Sequence, residues 1–358
     1  MDEQQSTIEQ DIAQGAKKRR KGIMFFWAFL AVVLVIGGLL FFKTGKTFKS
    51  ISLNLKDWQK AQAVLPDPEN SPDKEANRLN ILLLGLRGAD DPNGGLLTDT
   101  MMIMSIKQDT NQVAFISVPR DLYLDMPNYP RKQKINFAYA LGEQRSSNGG
   151  GLVYARQVIS QVTGLYIDYV AAVNFDAFRD IINELGGIDI SRQTPFSERT
   201  QWIYEGKSDS PYWRKTSSST WEFYVSAGQN HFDGESALYY SRSRYSTSDF
   251  DRMRRQQEVI RATKDKALSL GVLANPIKIY NLLTAVERNV RTNLTFDQIK
   301  NLLPLAQSLN FSNTKSLVFD TSPNSLFYSS TSDEGSYIIL PKGDNFDQTQ
   351  AKCRNIFN

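Results

Sequence analysis

Residues 22–42, GIMFFWAFLAVVLVIGGLLFF, are twenty-one consecutive positions without a charge. As a helix such a run is roughly 30 Å long, the thickness of a bilayer's hydrocarbon core. Helices buried in soluble domains seldom extend so far without a polar interruption, so the run predicts a transmembrane helix. It is too long for a signal-peptide core and lacks a small-residue cleavage motif, which predicts a retained anchor. Lys17, Lys18, Arg19, Arg20 and Lys21 abut its N-terminal end, while Lys43, Lys46 and Lys49 are spread out beyond the other. The positive-inside rule then makes residues 1–21 a cytoplasmic tail and places everything after Phe42 outside, as a single-pass protein of the cell membrane. Gly45-Lys46-Thr47 imitates the end of a phosphate-binding loop, but Leu40 stands where its first glycine belongs.

The anchor also explains the charge. Lys plus Arg number 42 against 38 Asp plus Glu, and the first fifty residues, with eight basic and four acidic side chains, hold the whole excess. The remainder is neutral, so a nucleic-acid partner is not expected, because counterion release needs a domain biased toward Lys and Arg. One His (His231, in a turn-like QNHFDG) and one Cys (Cys353) exclude a His/Cys zinc site and an internal disulfide. Stability must come from an apolar core.

Residues 43–79 are polar with scattered apolar positions, and LPDPENSPDKEANR has the Pro, Asp and Asn content of a linker or stalk. From residue 80 the pattern changes. ILLLGL (81–86), TMMIMSIK (100–107) and QVAFISVP (112–119) are apolar runs of strand length, and QDTN between the last two predicts a hairpin turn. Further on, helices are predicted over 152–162, 176–185, 276–289 and 295–309, with strands near 167–175, 186–190, 315–319 and 337–340. Residues 194–220, rich in Ser, Thr and Tyr, predict a long exposed excursion. The expected fold is α/β: one three-layer α-β-α domain over 80–358 with a central mixed sheet.

Three segments put charge at the ends of apolar elements, where open α/β sheets bind ligands. Asp99 precedes a strand, Arg120-Asp121 follows one, and ALYYSRSRYSTSDFDRMRRQQ (237–257) holds five arginines. If SRSR is extended, Arg242 and Arg244 share a face; if helical, they diverge. Asp249 stands where a helix N-cap is expected, and Arg252 and Gln256 lie one turn apart in the helix that follows. Arg254 and Arg255 are expected at the surface or facing a partner. Several guanidiniums converging on one place suit a phosphate or pyrophosphate, and carboxylates beside them suit a hard cation such as Mg²⁺ or a base for an attacking hydroxyl. That combination equips phosphoryl transfer.

At these residues the chain resembles the LytR-CpsA-Psr family of membrane-anchored bacterial enzymes that move glycan polymers onto the cell wall. DTMM (99–102), VPRD (118–121), KINFAYA (134–140), IDYVAAVNFDAF (167–178), LGGIDI (185–190) and the R-x-R…D-x-x-R-x-x-R-Q-Q run (242–257) occur in family order. The resemblance implies a phosphotransferase that moves a glycan from an undecaprenyl pyrophosphate carrier to a peptidoglycan sugar hydroxyl. Under it Asp99, Arg120 and Asp249 are catalytic, and Arg120, Arg242, Arg244, Arg252 and Gln256 hold the pyrophosphate. Lys134 and Asn136 lie near the cleft. Asp99 would bind Mg²⁺ or Mn²⁺, with Asp249 joining the metal site or acting as base, and the polyprenyl chain would enter an apolar pocket. A binding module for polyprenyl pyrophosphates and a pyrophosphatase are the alternatives.

The chain departs from the family pattern twice. Members commonly have an Asp after the Gly-hydrophobic pair that ends the first strand, and this chain has Arg87 after Gly85-Leu86. They commonly have an Arg two residues before the DTM aspartate, and this chain has Leu97. Arg87 is expected to supply the missing positive charge, with Asp90 or Asp91 as replacement metal ligands.

Overall fold

The leucine-rich run that begins the domain becomes the middle of a sheet, which is where a strand needs apolar side chains on both faces. The structure, a computed structural model, describes residues 55–88, 95–147, 149–199, 211–217, 221–269 and 289–358. The anchor predicted over 22–42, Asp90 and Asp91, and nearly all of the helix predicted over 276–289 lie outside the described residues. Among the described residues no helix is long and apolar enough to cross a membrane. All of them belong to one compact unit, Phe48–Asn358.

The chain opens with α1 (Leu55–Val64), β1 (Arg78–Leu86), β2 (Thr98–Lys107) and β3 (Gln112–Ser117). A short pair, β4 (Tyr123–Asp125) and β5 (Lys132–Lys134), leads into α2 (Ala138–Arg145), α3 (Gly150–Thr163), β6 (Tyr169–Val173) and α4 (Phe175–Glu184). Next come β7 (Ile188–Arg192), β8 (Phe196–Glu198), β9 (Trp213–Lys215), β10 (Trp221–Val225), β11 (Gly228–Phe232), α5 (Gly234–Arg242) and α6 (Asp249–Ser269). The described chain ends with β12 (Val290–Thr292), α7 (Phe296–Ser308), β13 (Asn310–Val318), β14 (Phe327–Thr331), β15 (Tyr337–Pro341) and α8 (Asp347–Arg354).

The central sheet has the order β12-β6-β1-β2-β3-β13 and is mixed, as expected. β1 runs parallel to β6 and β3 parallel to β13, while β2 is antiparallel to both β1 and β3. Four strands (β1, β3, β6 and β13) therefore end, and β2 begins, at one edge of the sheet. This edge gathers Arg87, Asp99, Arg120 and Asp320 from distant parts of the sequence. Alternation along the strands separates two faces. Met101, Ile103 and Ile116 face the larger core with Leu152, Val153 and Ile159 of α3, whereas Met102, Val113 and Phe115 face Ile260 of α6. The result is three layers, helix on sheet on helix.

Three expectations are corrected. The stretch read as an exposed excursion, in its described parts, builds a second core: Phe196, Tyr212, Phe223, Phe232 and Tyr240 are buried together, with edge-to-face packing of Phe196 on Tyr240 and of Tyr212 on Phe232. His231 lies in β11, not in a turn, and its ring pairs with Asp189 across the strand. The third correction concerns the stalk, whose described part is packed on the domain. Ala61 and Leu65 join the larger core, Gln157 Nε2 donates to the Leu65 carbonyl at 2.7 Å, and Arg156 pairs with Asp67. Sequence polarity concealed this, because α1 presents only one apolar stripe and its partners lie far along the chain.

The last helix closes on the first strand. Arg78, buried at the start of β1, donates to the carbonyls of Cys353 at 2.9 Å and Arg354 at 3.1 Å and to Ser105 Oγ at 2.7 Å. The placement of α1 is testable. Leu65 is 3% exposed, so Leu65→Ala is expected to cost about 2–4 kcal/mol in urea unfolding. A residue of a free stalk would change stability by less than about 0.5 kcal/mol.

Candidate active site

Asp99 occupies the second position of β2, directly across from the end of β1. A bulge between Gly85 and Leu86 shifts the register so that Leu86 pairs with Thr98. Bulges re-aim the side chains that follow, and Arg87 comes to lie with Nε 3.2 Å from Asp99 Oδ2. Glycine is needed at 85, since a Cβ there would stand 2.9 Å from the Thr100 Cβ. The other Asp99 oxygen accepts from Arg120 Nη1 at 2.5 Å.

Arg120 is held from both sides. Its carbonyl accepts from the Asn136 N–H at 3.3 Å, and the Asn136 carbonyl accepts from Thr98 Oγ1 at 3.0 Å. The KINFAYA motif therefore meets the cleft through its backbone at Asn136 and through Lys134, whose Nζ donates to Asp121 at 2.9 Å. Arg120 Nε lies 3.5 Å from Asp121 and 3.8 Å from Asp249. Both are ion-pair distances, and neither contact is a hydrogen bond.

The third part arrives with α6. Ser248 caps it, its Oγ accepting from the Asp251 N–H at 3.0 Å. Asp249, expected as the cap, instead sits in the first turn and turns inward. It pairs with Arg252 at 2.9 Å and with Arg244 at 3.8 Å, while Arg252 Nη2 also reaches the Asp99 carbonyl at 3.0 Å. Gln256, one turn on, is buried and donates to the Ser241 carbonyl at 3.3 Å. Arg242 is the last residue of α5, so SRSR is neither extended nor helical throughout; its guanidinium lies 4.3 Å from the Phe175 ring centroid. Arg87, Arg120, Arg244 and Arg252 thus converge on Asp99, Asp121 and Asp249, with Lys134 beside them.

This cluster is incompletely bonded. Eight buried side-chain polar atoms among the described residues have no hydrogen-bond partner, and four of them are Arg120 Nε, Asp249 Oδ1, Arg252 Nε and Gln256 Oε1. Buried polar atoms left over in one place mark a site for something else. The carboxylates there are also unlike one another. Burial opposes the charge of Asp99, but Arg120, Arg252 and Arg87 outweigh it and hold its pKa below the ordinary value. Burial dominates at Asp249, reinforced by the charges of Asp121 and Asp99, and its pKa is raised despite Arg252 and Arg120.

Two positioning side chains carried no sequence signal or the wrong one. Glu198, 2% exposed, accepts from the backbone N–H groups of Arg244, Tyr245 and Ser246 at 3.0, 2.9 and 3.2 Å and so sets the loop that carries Arg244. It lies in the stretch read as an excursion. Arg255, expected at the surface, is 4% exposed. It donates to the carbonyls of Tyr240 and Ser243, closing the C-terminal end of α5, and packs on Phe196. Arg254 is exposed and pairs with Asp251 at 2.7 Å. Leu97 brings no charge.

The sequence model of the LytR_cpsA_psr family matches residues 41–355. The chain belongs to this family. Among its curated relatives, a polyisoprenyl-teichoic acid–peptidoglycan teichoic acid transferase (TagU) of Enterococcus faecalis is 27% identical over 76% of this chain and 78% of its own. A Bacillus cereus TagU is 28% identical over 78% and 82%. Among solved structures, a protein from Streptococcus agalactiae superposes with a TM-score of 0.59 at 23% identity, covering 82% of this chain and 89% of that one. These structures share the mixed α/β architecture.

The supporting side chains give contrasting expectations in urea unfolding. Glu198→Ala, which strands three backbone donors, is expected to cost about 3 kcal/mol and to speed amide exchange at residues 244–246. Arg255→Met should cost a comparable ~3 kcal/mol, and Arg254→Ala less than about 0.5 kcal/mol.

Proposed function

We propose that this chain, an enzyme of the LytR-CpsA-Psr transferase family, moves a glycan phosphate from a polyprenyl pyrophosphate carrier to a sugar hydroxyl of peptidoglycan, with polyprenyl phosphate as the leaving group. The observation that carries the reading is the convergence of four guanidiniums and Lys134 on three carboxylates. Positive charge is in surplus there, and Arg120 Nε and Arg252 Nε are buried without a hydrogen bond. Planar donors of this kind match phosphate oxygens. The N-terminus of α6 adds its dipole to the same place. The names of the curated relatives supply the polyisoprenyl-linked donor and the peptidoglycan acceptor.

In this reading Arg120, Arg252, Arg244 and Arg242 bind the pyrophosphate and stabilise charge on the leaving phosphate. Gln256 offers the pyrophosphate the amide N–H that the Ser241 carbonyl does not take. Arg87, tied to Asp99, supplies the cation that the family pattern places at position 97. The pKa contrast divides the carboxylates: Asp99 stays ionised and organises the arginines, while Asp249 receives the proton of the attacking hydroxyl at Oδ1. Among the described residues no three His, Cys, Asp or Glu side chains group as a metal site. Mg²⁺ commonly needs only one or two carboxylates completed by substrate phosphates. Asp99 fits that demand, because each of its oxygens keeps a lone pair beyond its arginine contact. Asp99 would hold the ion, with Asp249 beside it, and the ion would neutralise phosphate oxygens. The segment 22–42 anchors the domain at the leaflet that carries the donor.

The test supplies a polyprenyl-pyrophosphate-linked sugar and peptidoglycan fragments and follows glycan transfer and polyprenyl phosphate release by mass. Arg120→Ala is expected to lower kcat/KM about 10²–10³-fold, Arg87→Ala about tenfold or more, and chelation of divalent ions to stop transfer. Release without any sugar-linked product would replace transfer by pyrophosphate hydrolysis, and donor binding without release would leave only a binding module. Transfer undiminished in Arg120→Ala would overturn the site.

A further inference from the structure

The cluster accounts for a donor's phosphates but leaves open what holds the acceptor. Two exposed aromatic side chains stand at it. Few large apolar or aromatic side chains are exposed among the described residues: Val64, Tyr245, Tyr328 and Tyr337. Tyr245 is 61% exposed, and its ring centroid lies 5.0 Å from the Arg244 guanidinium. Its backbone is fixed by the same Glu198 carboxylate that fixes Arg244. Tyr337 arrives from the C-terminal hairpin of β14 and β15. That hairpin is docked on the VPRD segment: Leu122 bridges Ile339 in parallel, and the Ile339 N–H donates to the Asp121 carbonyl at 2.9 Å. Tyr337 opens β15 two residues before Ile339, so this docking holds it beside the VPRD segment. Ile338 and Ile339 are buried and hold the strand down, whereas Tyr337 is 49% exposed.

A second observation gives the same proximity. Burial raises the pKa of the Tyr337 phenol, and the charges of Asp121 and Asp249 add to the rise. The ring therefore stands within reach of both carboxylates' fields.

Resting on the reading above, we propose that Tyr337 and Tyr245 form the acceptor subsite, stacking against the sugar rings of a glycan strand so that a hydroxyl reaches Asp249. A tyrosine offers an apolar face and a polar tip at small entropic cost, which suits sugar rings with apolar C–H faces and a polar rim. The surroundings disfavour other occupants. The turn joining β14 to β15 is Ser332-Asp333-Glu334-Gly335-Ser336, too polar for a protein interface core and of the wrong sign for an anionic membrane.

The experiment uses the full chain in detergent micelles and a β-1,4-linked N-acetylglucosamine tetrasaccharide as probe. Binding is read by saturation-transfer NMR, and KM for acceptor and for donor is read separately in the transfer assay. Tyr337→Ala is expected to weaken tetrasaccharide binding about tenfold and to raise the acceptor KM alike while the donor KM holds. Tyr337→Phe, which keeps the ring and loses only the phenol hydroxyl, should restore most of the binding. Tyr328→Ala, on the opposite face of the hairpin, should bind as the unchanged protein does. Equal binding by Tyr337→Ala, no binding by the unchanged protein, or a donor KM that rises with the acceptor KM would each overturn the subsite. So would vesicle association that Tyr337→Ala abolishes while tetrasaccharide binding holds, since the tyrosine would then be a lipid contact. If the unchanged protein turns over no donor, the transferase reading fails, and the NMR titration still decides the subsite.

Discussion

The pairing of Arg120 with Asp99 is the joint on which the site depends. Asp99 belongs to β2 and Arg120 to the loop after β3, so their 2.5 Å contact ties two neighbouring strands together at the edge where the parallel strands finish. Each partner is committed elsewhere as well. Asp99 takes Arg87 on its second oxygen and Arg252 on its carbonyl, and Arg120 stands between Asp121 and Asp249. Partly buried charges of this sort survive only when paired, because removing either one strands the other in a poor solvent. The cluster is held together by mutual necessity, and its leftover donors and acceptors are the part that this necessity does not consume.

Around that joint lies a supporting set whose work is mechanical. Glu198 collects three successive N–H groups and gives the loop before α6 a fixed course. Arg255 does the same for the carbonyls at the end of α5. Between them they determine where Arg242 and Arg244 sit, although neither belongs to the charged cluster. A guanidinium on a loose loop would lose orientational freedom on binding a phosphate; one already oriented does not.

Much of the fold was legible in the sequence because apolar runs of strand length have few other uses. ILLLGL, TMMIMSIK and QVAFISVP are three of the four interior strands of the sheet, and QDTN is the turn between two of them. The gathering of Asp99, Arg120 and Asp249 followed from charge at the ends of two strands and the start of a helix. Less visible was whatever depends on a distant partner. Arg255 differs from Arg254 only in which side of α6 it occupies, and that side is chosen by Phe196 and Tyr240. Ser248 took the capping position from Asp249 by one residue, which freed that carboxylate for the cluster. Leu55–Val64 was legible as a short helix, but its docking on the domain and the role of Glu198 were concealed, because their packing partners lie far along the chain.

The bonds of Arg78 bear on how the chain reaches this state. The side chain that opens the central strand donates to carbonyls about 275 residues later, and β13, the outer neighbour of β3, also comes near the end. Synthesis delivers β1 first and its last partners last. Until α8 emerges, β1 carries a cation with no carbonyls to receive it, and the sheet has an open margin beside β3. Such long-range closure slows folding and prolongs the time during which unfinished surface is exposed. The eight-residue helix α8 acts as a latch that cannot fasten β1 until about 275 further residues have been made.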